Sequence, residues 1–216
     1  MKTKLFLGLA LLATLSMVSC KKDKEEEDSN AIRIDGKSYP TVTIGNRVWT
    51  TENFSGSGSG VYYQEDNVHK IAYGKYYTLA EAKAIALPQG WRLPTKDDFK
   101  ELVKAQGAIW EEDGSYEGYT ENMDAIGHLL STTGWPNNLG TNASGFNAQP
   151  AGKHDEGDFM LQGYSTYFWT STTTAQDEFP VYFSMLQADN AGYAEYRSVG
   201  WSMEGVKMSV RFVKDK

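Results

Sequence analysis

Apolar and polar positions divide this chain into three parts. Leu5–Val18 is an apolar run, broken only by small residues, behind the positive Lys2 and Lys4. Residues 21–30, KKDKEEEDSN, contain no apolar position. From Ile32 onward the pattern is mixed and its period changes along the chain. Residues 39–44 (YPTVTI) and 47–51 (RVWTT) read as short strands joined by a Gly45-Asn46 hairpin turn. Thr78-Leu79-Ala80-Glu81 is a capping box, opening a helix through about Ala86 that stops before Pro88-Gln89-Gly90. Thr95 opens a second helix, which places Phe99, Leu102, Val103 and Gln106 on one face. Met123, Ile126, Leu129 and Leu130 mark a third. After Gly134 strands and turns take over: Phe179, Val181, Phe183 and Met185 alternate with other residues, as do Val206, Met208, Val210 and Phe212. Helices early and strands late, behind one front hairpin, predict an α+β fold.

The first two parts read as export and tethering. The Leu5–Val18 run is shorter than the roughly 20 residues a membrane-spanning helix needs, and its basic flank fits a signal peptide. It ends in Leu15-Ser16-Met17-Val18-Ser19-Cys20, which resembles the lipobox of bacterial lipoproteins, with Met17 where that pattern prefers Leu. The resemblance implies cleavage after Ser19 and lipid on the Cys20 thiol and new amino terminus, several acyl chains giving stable anchoring. Residues 1–19 are then the signal peptide, 20–31 a disordered acidic tether with nothing to bury, and 32–216 one folded domain. The charged stretch after the cysteine is similar to the signal that sends Bacteroidetes lipoproteins to the outer face of the outer membrane. Surface exposure is the expected location.

Cys20 is the only cysteine. The folded part therefore has no internal disulfide, no cysteine metal site and no catalytic thiol. The 21 basic residues less Lys2 and Lys4 leave 19 against 28 acidic, a net charge of −9. Such a surface repels nucleic acid and anionic lipid, so the membrane is expected as a partner through the lipid alone. Ser55–Gly60 (SGSGSG) reads as a flexible loop and not a phosphate cradle, since neither Lys nor a helical pattern follows it.

Five segments in order carry a wider resemblance: VTIGNRVWTTENF (42–54), YYTLAEAKAIALPQGWRLPTKDDFKELV (76–103), GTNASGFNAQPAG (140–152), YFWTST (167–172) and MSVRFVKD (208–215). Together they resemble the Fibrobacter succinogenes major paralogous domain. Arg47 replaces its usual Gln, Phe54 its Leu, and Phe212 its frequent Cys. The GWRLPT start and the closing Arg are also similar to formylglycine-generating enzymes and C-type-lectin-like folds. This implies a single C-type-lectin-like domain, short helices flanking small twisted antiparallel sheets, in which 39–51 pairs with 206–213.

Candidate chemistry is sparse. Formylglycine-generating activity needs cysteines that the mature domain lacks. His69, His128 and His154 sit in no hydrolase or H-E-x-x-H setting. The carboxylates at Glu111-Glu112-Asp113 and Asp155-Glu156 define no glycosidase pair without distances. Calcium is the one metal left open, because the loops at 154–158 and 189–190 are oxygen-rich, although the lectin triplets are missing; otherwise no cofactor is expected. Among 6 Trp and 13 Tyr, Trp49, Trp91 and Trp169 lie in the motifs and are assigned to the core. Trp135, Tyr193, Tyr196 and Trp201, with Asn137, Asn138, Asp189 and Asn190, lie in loop-like segments that correspond by resemblance to the ligand face of lectin-like domains. The expectation is a non-catalytic surface binding or adhesion module for glycan or protein. A glycan-processing enzyme with unrecognised carboxylates and a structural envelope component are the alternatives.

Overall fold

The computed structural model describes residues 30–56, 58–63, 67–175, 178–188, 191–198 and 203–216, with backbone alone at 67–68, 138, 188 and 191–192. Three antiparallel strands open it: β1 (Ala31–Ile34), β2 (Lys37–Ile44) and β3 (Arg47–Thr50). Gly45-Asn46 joins β2 to β3 as the sequence predicts, with Gly45 at φ 58°. A second hairpin precedes it, turned by Asp35 and Gly36 at φ 50° and 77°, the positive pair that Asp-Gly supplies. Ala31, assigned above to the tether, is thus in a strand, and the Asn30 carbonyl accepts from the Thr41 N–H at 2.7 Å.

Next come β4 (Val61–Tyr62), α1 (Asn67–Tyr73), β5 (Lys75–Tyr76), α2 (Leu79–Lys83), β6 (Trp91–Arg92) and α3 (Lys96–Lys104). Then β7 (Glu111–Glu112), β8 (Gly118–Thr120) and α4 (Met123–Leu129) precede β9 (Lys153–Asp155), β10 (Asp158–Met160), β11 (Ser165–Thr173), β12 (Pro180–Ala188), β13 (Ala191–Ser198) and β14 (Val213–Asp215). The expected capping box forms, Thr78 Oγ1 accepting from Glu81 N–H while the Glu81 carboxylate accepts from Thr78 N–H, and Thr95 and Asp98 make a second one at the start of α3. Helix α2 stops at Lys83, short of Ala86. Helix α1 was not expected after the Ser55–Gly60 run.

Two five-stranded antiparallel sheets, β1-β2-β3-β14-β6 and β11-β12-β13-β8-β7, and two ribbons, β9-β10 and β4-β5, complete an α+β fold. The front and the end of the chain pair, Val213 opposite Trp49 and Asp215 opposite Arg47. The β11–β13 sheet separates two cores. On one face Phe168, Val181, Phe183, Met185, Ala194 and Tyr196 meet α3 and α4, with Phe99 stacked on Phe183 at 4.4 Å. On the other, Trp169 packs with Ile32, Tyr39, Phe54, Tyr77, Val206, Met208, Val210 and Phe212. Residues 206–212 do not form the regular half-buried strand that their alternation predicts. The intervening Ser209 and Arg211 are as buried as the apolar residues, so the segment runs through the interior, held by single bridges to Tyr77, His154 and Phe168. The Ser55–Gly60 loop is also more constrained than its composition suggests. A Cβ at Gly56 would stand 2.3 Å from the Phe54 ring, and one at Gly60 2.7 Å from the Tyr77 ring, so both glycines are needed for backbone to lie against aromatic surface. No helix among the described residues is long and apolar enough to cross a membrane.

Candidate functional site

The segments that carried the resemblance converge, but on the interior. Arg211 is fully buried and donates to Asn53 Oδ1 (2.6 Å) and to the carbonyls of Thr50 (2.7 Å), Phe146 (3.1 Å) and Asn147 (3.1 Å). Its guanidinium also lies over Phe146, 5.0 Å from the ring centroid, a cation–π contact. Burial lowers its pKa, and the oxygen cage compensates by giving its donors partners. A second cluster centres on Asp98, which accepts from Arg47 Nε (2.8 Å), Arg92 Nη2 (2.9 Å) and the Thr95 N–H (2.7 Å). Burial alone would raise the Asp98 pKa; the bonds from Arg92, Arg47 and Thr95 outweigh it and hold the carboxyl well below the usual range. Asp98 is only 3% exposed. Both clusters hold elements together; the Arg211 cage is closed to solvent, whereas the Arg47 and Arg92 side chains around Asp98 are about a third exposed.

The open site lies on the far side of the β11–β13 sheet. Period-2 alternation sends Phe168, Phe183 and Tyr196 toward the helices and their neighbours the other way. In register, Trp169 pairs with Tyr182 and Tyr182 with Arg197, while Tyr167 pairs with Ser184 and Ser184 with Glu195. The C-terminal segment seals Trp169. Tyr167 and Tyr182 instead floor a cleft of about 880 Å³ whose walls come from Lys153, Asp155, Glu156, Glu117, Arg197 and the stretch 203–206. The two rings lie 5.8 Å apart at 55°. Tyr182 is pushed up to about 12, by burial first and then by the Glu195 charge against the offsetting Arg197. Burial likewise raises Tyr167, with Lys153 opposing. Both phenols are therefore protonated at neutral pH and can donate. Lys153 Nζ bridges to Asp155 Oδ2 at 2.7 Å, and Arg197 Nε lies 3.6 Å from Glu195 Oε2. The cleft thus combines apolar ring surface, phenol donors and charges of both signs, which suits reversible binding of a polar ligand.

The sequence candidates fall in several places. Trp135 is 5% exposed in the helix-side core, its Nε1 donating to Ala148 O at 2.9 Å. Tyr196 is fully buried there, stacked on Trp110 at 5.1 Å and bonded to Glu112. Neither offers a face to a ligand, which corrects their candidacy: both complete an apolar layer that the Gly- and Asn-rich surroundings in sequence do not reveal. Tyr193 is half-buried and stacked on Tyr119 at 5.7 Å. Asn137 is exposed at φ 58° in a 3-10 turn, Pro136–Asn138, which also contains Asn138. This turn sits by Gln187, which bonds the Pro136 carbonyl. Gln187 is about 17 Å along β12 from Tyr182 at about 3.4 Å per residue, so this turn is remote from the tyrosine cleft. Cys20, Asp189, Asn190 and Trp201 lie outside the described residues. Ser198 and Met203, the described residues on either side of the stretch that holds Trp201, both line the cleft.

Tyr167, Tyr182, Arg197, Lys153 and Glu117 were not expected. The signal available was the outward register of the same alternation that marks the core, because Tyr182 stands between Val181 and Phe183. The histidines are less scattered than their positions suggest. His69 contacts Tyr63 at 5.3 Å, Tyr63 contacts Phe159 at 5.1 Å, and Phe159 contacts His154 at 4.9 Å; His128 is apart, in the last turn of α4. Among the described residues no group of three or more His, Cys, Asp or Glu is placed to hold a metal ion.

Compared with known proteins, the pattern of the Fibrobacter succinogenes major domain matches residues 42–214. No curated protein and no solved structure matches the chain.

Proposed function

The chain belongs to the Fibrobacter succinogenes major domain family, and we propose that this member is a lipid-anchored envelope protein whose folded domain binds a glycan or protein ligand in the Tyr167–Tyr182 cleft. The observation that carries the reading is the cleft itself: two tyrosines side by side, half-buried, among charged residues of both signs. Flat rings supply contact area at low entropic cost, and phenols, Arg197 and Asp155 supply the directional bonds that fix orientation. Glu117, Asp155, Glu156 and Glu204 outnumber Lys153 and Arg197 on the walls, so neutral or basic ligands are favoured over acidic ones. Lipid on Cys20 would hold this domain at the membrane, and the charged stretch after it supports display on the outer surface.

The test is a screen of the full chain against glycan and peptide arrays, with and without calcium, followed by Tyr167→Ala, Tyr182→Ala and Arg197→Ala in turn. At least one tyrosine variant should lose tenfold or more in affinity, about 1.4 kcal/mol. If a ligand is found and all three variants stay within about twofold while remaining folded, the cleft is not its site.

A further inference from the structure

The strands beneath the tyrosine cleft leave a peptide backbone nothing to pair with. β12 lies between β11 and β13, and β13 between β12 and β8. The outer strand, β11, is bridged to Gly152 and Ser209. An extended peptide therefore cannot add a strand to the floor. Accessible apolar surface is equally limited. Of the apolar residues that line the cleft, Val206 and Met208 are buried, which leaves Met203 and the two tyrosine rings. An amphipathic helix needs a continuous apolar groove, and these do not make one. The charges deep in the wall are matched to one another. Lys153 is paired with Asp155. Glu195 takes a bond from Ser184 Oγ at 3.2 Å and stands beside Arg197, whose pKa it raises, with Glu117 adding a smaller effect. Glu156 and Glu204 are exposed, where salt screens them.

What remains for a ligand is aromatic ring surface edged by directional polar groups. Both phenols are protonated and can donate; the Asp155 carboxylate can accept from two neighbouring hydroxyls, and the half-exposed Arg197 guanidinium can donate to two oxygens. A sugar presents the complementary set, with C–H patches on its ring faces and adjacent hydroxyls around its edge. The two tyrosine rings are tilted by 55° with centroids 5.8 Å apart, so one flat surface cannot lie on both. They form a trough, in which a sugar ring stacks on one tyrosine and meets the other with its edge. We propose, on the reading that this cleft is the binding site, that its ligand is a neutral, soluble glycan chain held one sugar unit at a time in the tyrosine trough. The flat face of a crystalline polysaccharide does not fit it.

The probes are neutral hexasaccharides of glucose, mannose, xylose and N-acetylglucosamine. Spermidine and a basic proline-rich peptide are the charged controls, and microcrystalline cellulose and chitin the flat ones. The full chain carries ring-labelled tyrosine for NMR, with the Tyr167 and Tyr182 signals assigned by their loss in Phe variants. At least one hexasaccharide should shift both rings saturably. Its affinity should change less than about twofold between about 0.05 and 0.5 M NaCl, since the ligand has no charge to screen. The protein should not be retained on cellulose or chitin. Tyr182→Ala should weaken the sugar about tenfold, the upper end for a stacked ring, and Tyr182→Phe, which keeps the ring, by less. Should Tyr182→Ala fail to fold, Arg197→Gln decides, with an expected loss of about fivefold for its hydrogen bonds. Shifts of these rings by the peptide or spermidine alone would overturn the glycan assignment and leave the cleft standing as a binding site. A sugar that binds without moving either ring would overturn both. No response to any hexasaccharide, a steep fall with salt, or retention on the crystalline surfaces would also overturn the proposal.

Discussion

Arg211 donates from Nε to Oδ1 of Asn53 at 2.6 Å, across 158 residues of chain. The Asn53 amide in turn donates to the Tyr73 carbonyl at 2.8 Å and to Ser209 Oγ at 3.1 Å. One side-chain pair thus fastens the end of the first sheet to the interior C-terminal segment and to α1. The partners of Arg211 are carbonyl and amide oxygens, so its charge is held by dipoles fixed in the fold.

Arg211→Lys should therefore not be conservative. A lysine ammonium lacks the planar fork that reaches Asn53, Thr50, Phe146 and Asn147 together, and carbonyls left dry and unpaired are costly. We expect a loss of roughly 2–4 kcal/mol in urea unfolding. A midpoint unchanged from wild type would show that the cage is not a source of stability.

Asp98→Asn should destabilise by about 3 kcal/mol at neutral pH, because it leaves Arg47 and Arg92 facing a neutral group. The folded Asp98 pKa is depressed below the unfolded value of about 3.9. Its contribution is thus fully present above that value and is lost as pH falls through the folded pKa. The gap between wild type and variant should be flat from about pH 7 to 5 and narrow only below about pH 4. Chemical denaturation across that range measures it; a gap that closes near pH 6 would assign the effect to another group.

Trp169→Ala should cost about 3–5 kcal/mol. The indole is fully buried and its Nε1 donates at 2.6 Å to the Tyr77 carbonyl, which also accepts from the Met208 N–H at 2.9 Å. Thermal melting followed by circular dichroism tests this. A wild-type melting temperature would mean that the C-terminal segment does not depend on the sheet beneath it.

Cys20→Ser should abolish incorporation of radiolabelled palmitate and either release the protein from the membrane fraction or leave it unprocessed, because the thiol is the single proposed acylation point. Label on the serine variant would remove the lipoprotein reading.

Short-range features were legible from the sequence. The Gly45-Asn46 turn, the Thr78–Glu81 capping box, the helix start at Thr95 and the apolar face of α3 depend on residues within about one or two turns of each other, and local geometry settles them. The Asp35-Gly36 hairpin could have been read on the same grounds. Helix α1 could not: it is only seven residues long and leaves Ile71 84% exposed, so no apolar stripe announces it and its neighbours decide its state. Nor could the burial of Arg211, Tyr196 and Trp135, since charge and loop-like composition both argue for the surface. Alternation along β11 and β12 determined only which residues within each strand share a face; pairing in register put Trp169 and Tyr182 on the same one. Neither determined what covers that face. Val206–Phe212 covers Trp169 wholly and Tyr182 only in part, so one ring became core and the other the floor of a cleft. Strand period fixes direction within a few residues, whereas cover comes from chain that is distant in sequence, and only the tertiary packing brings it there.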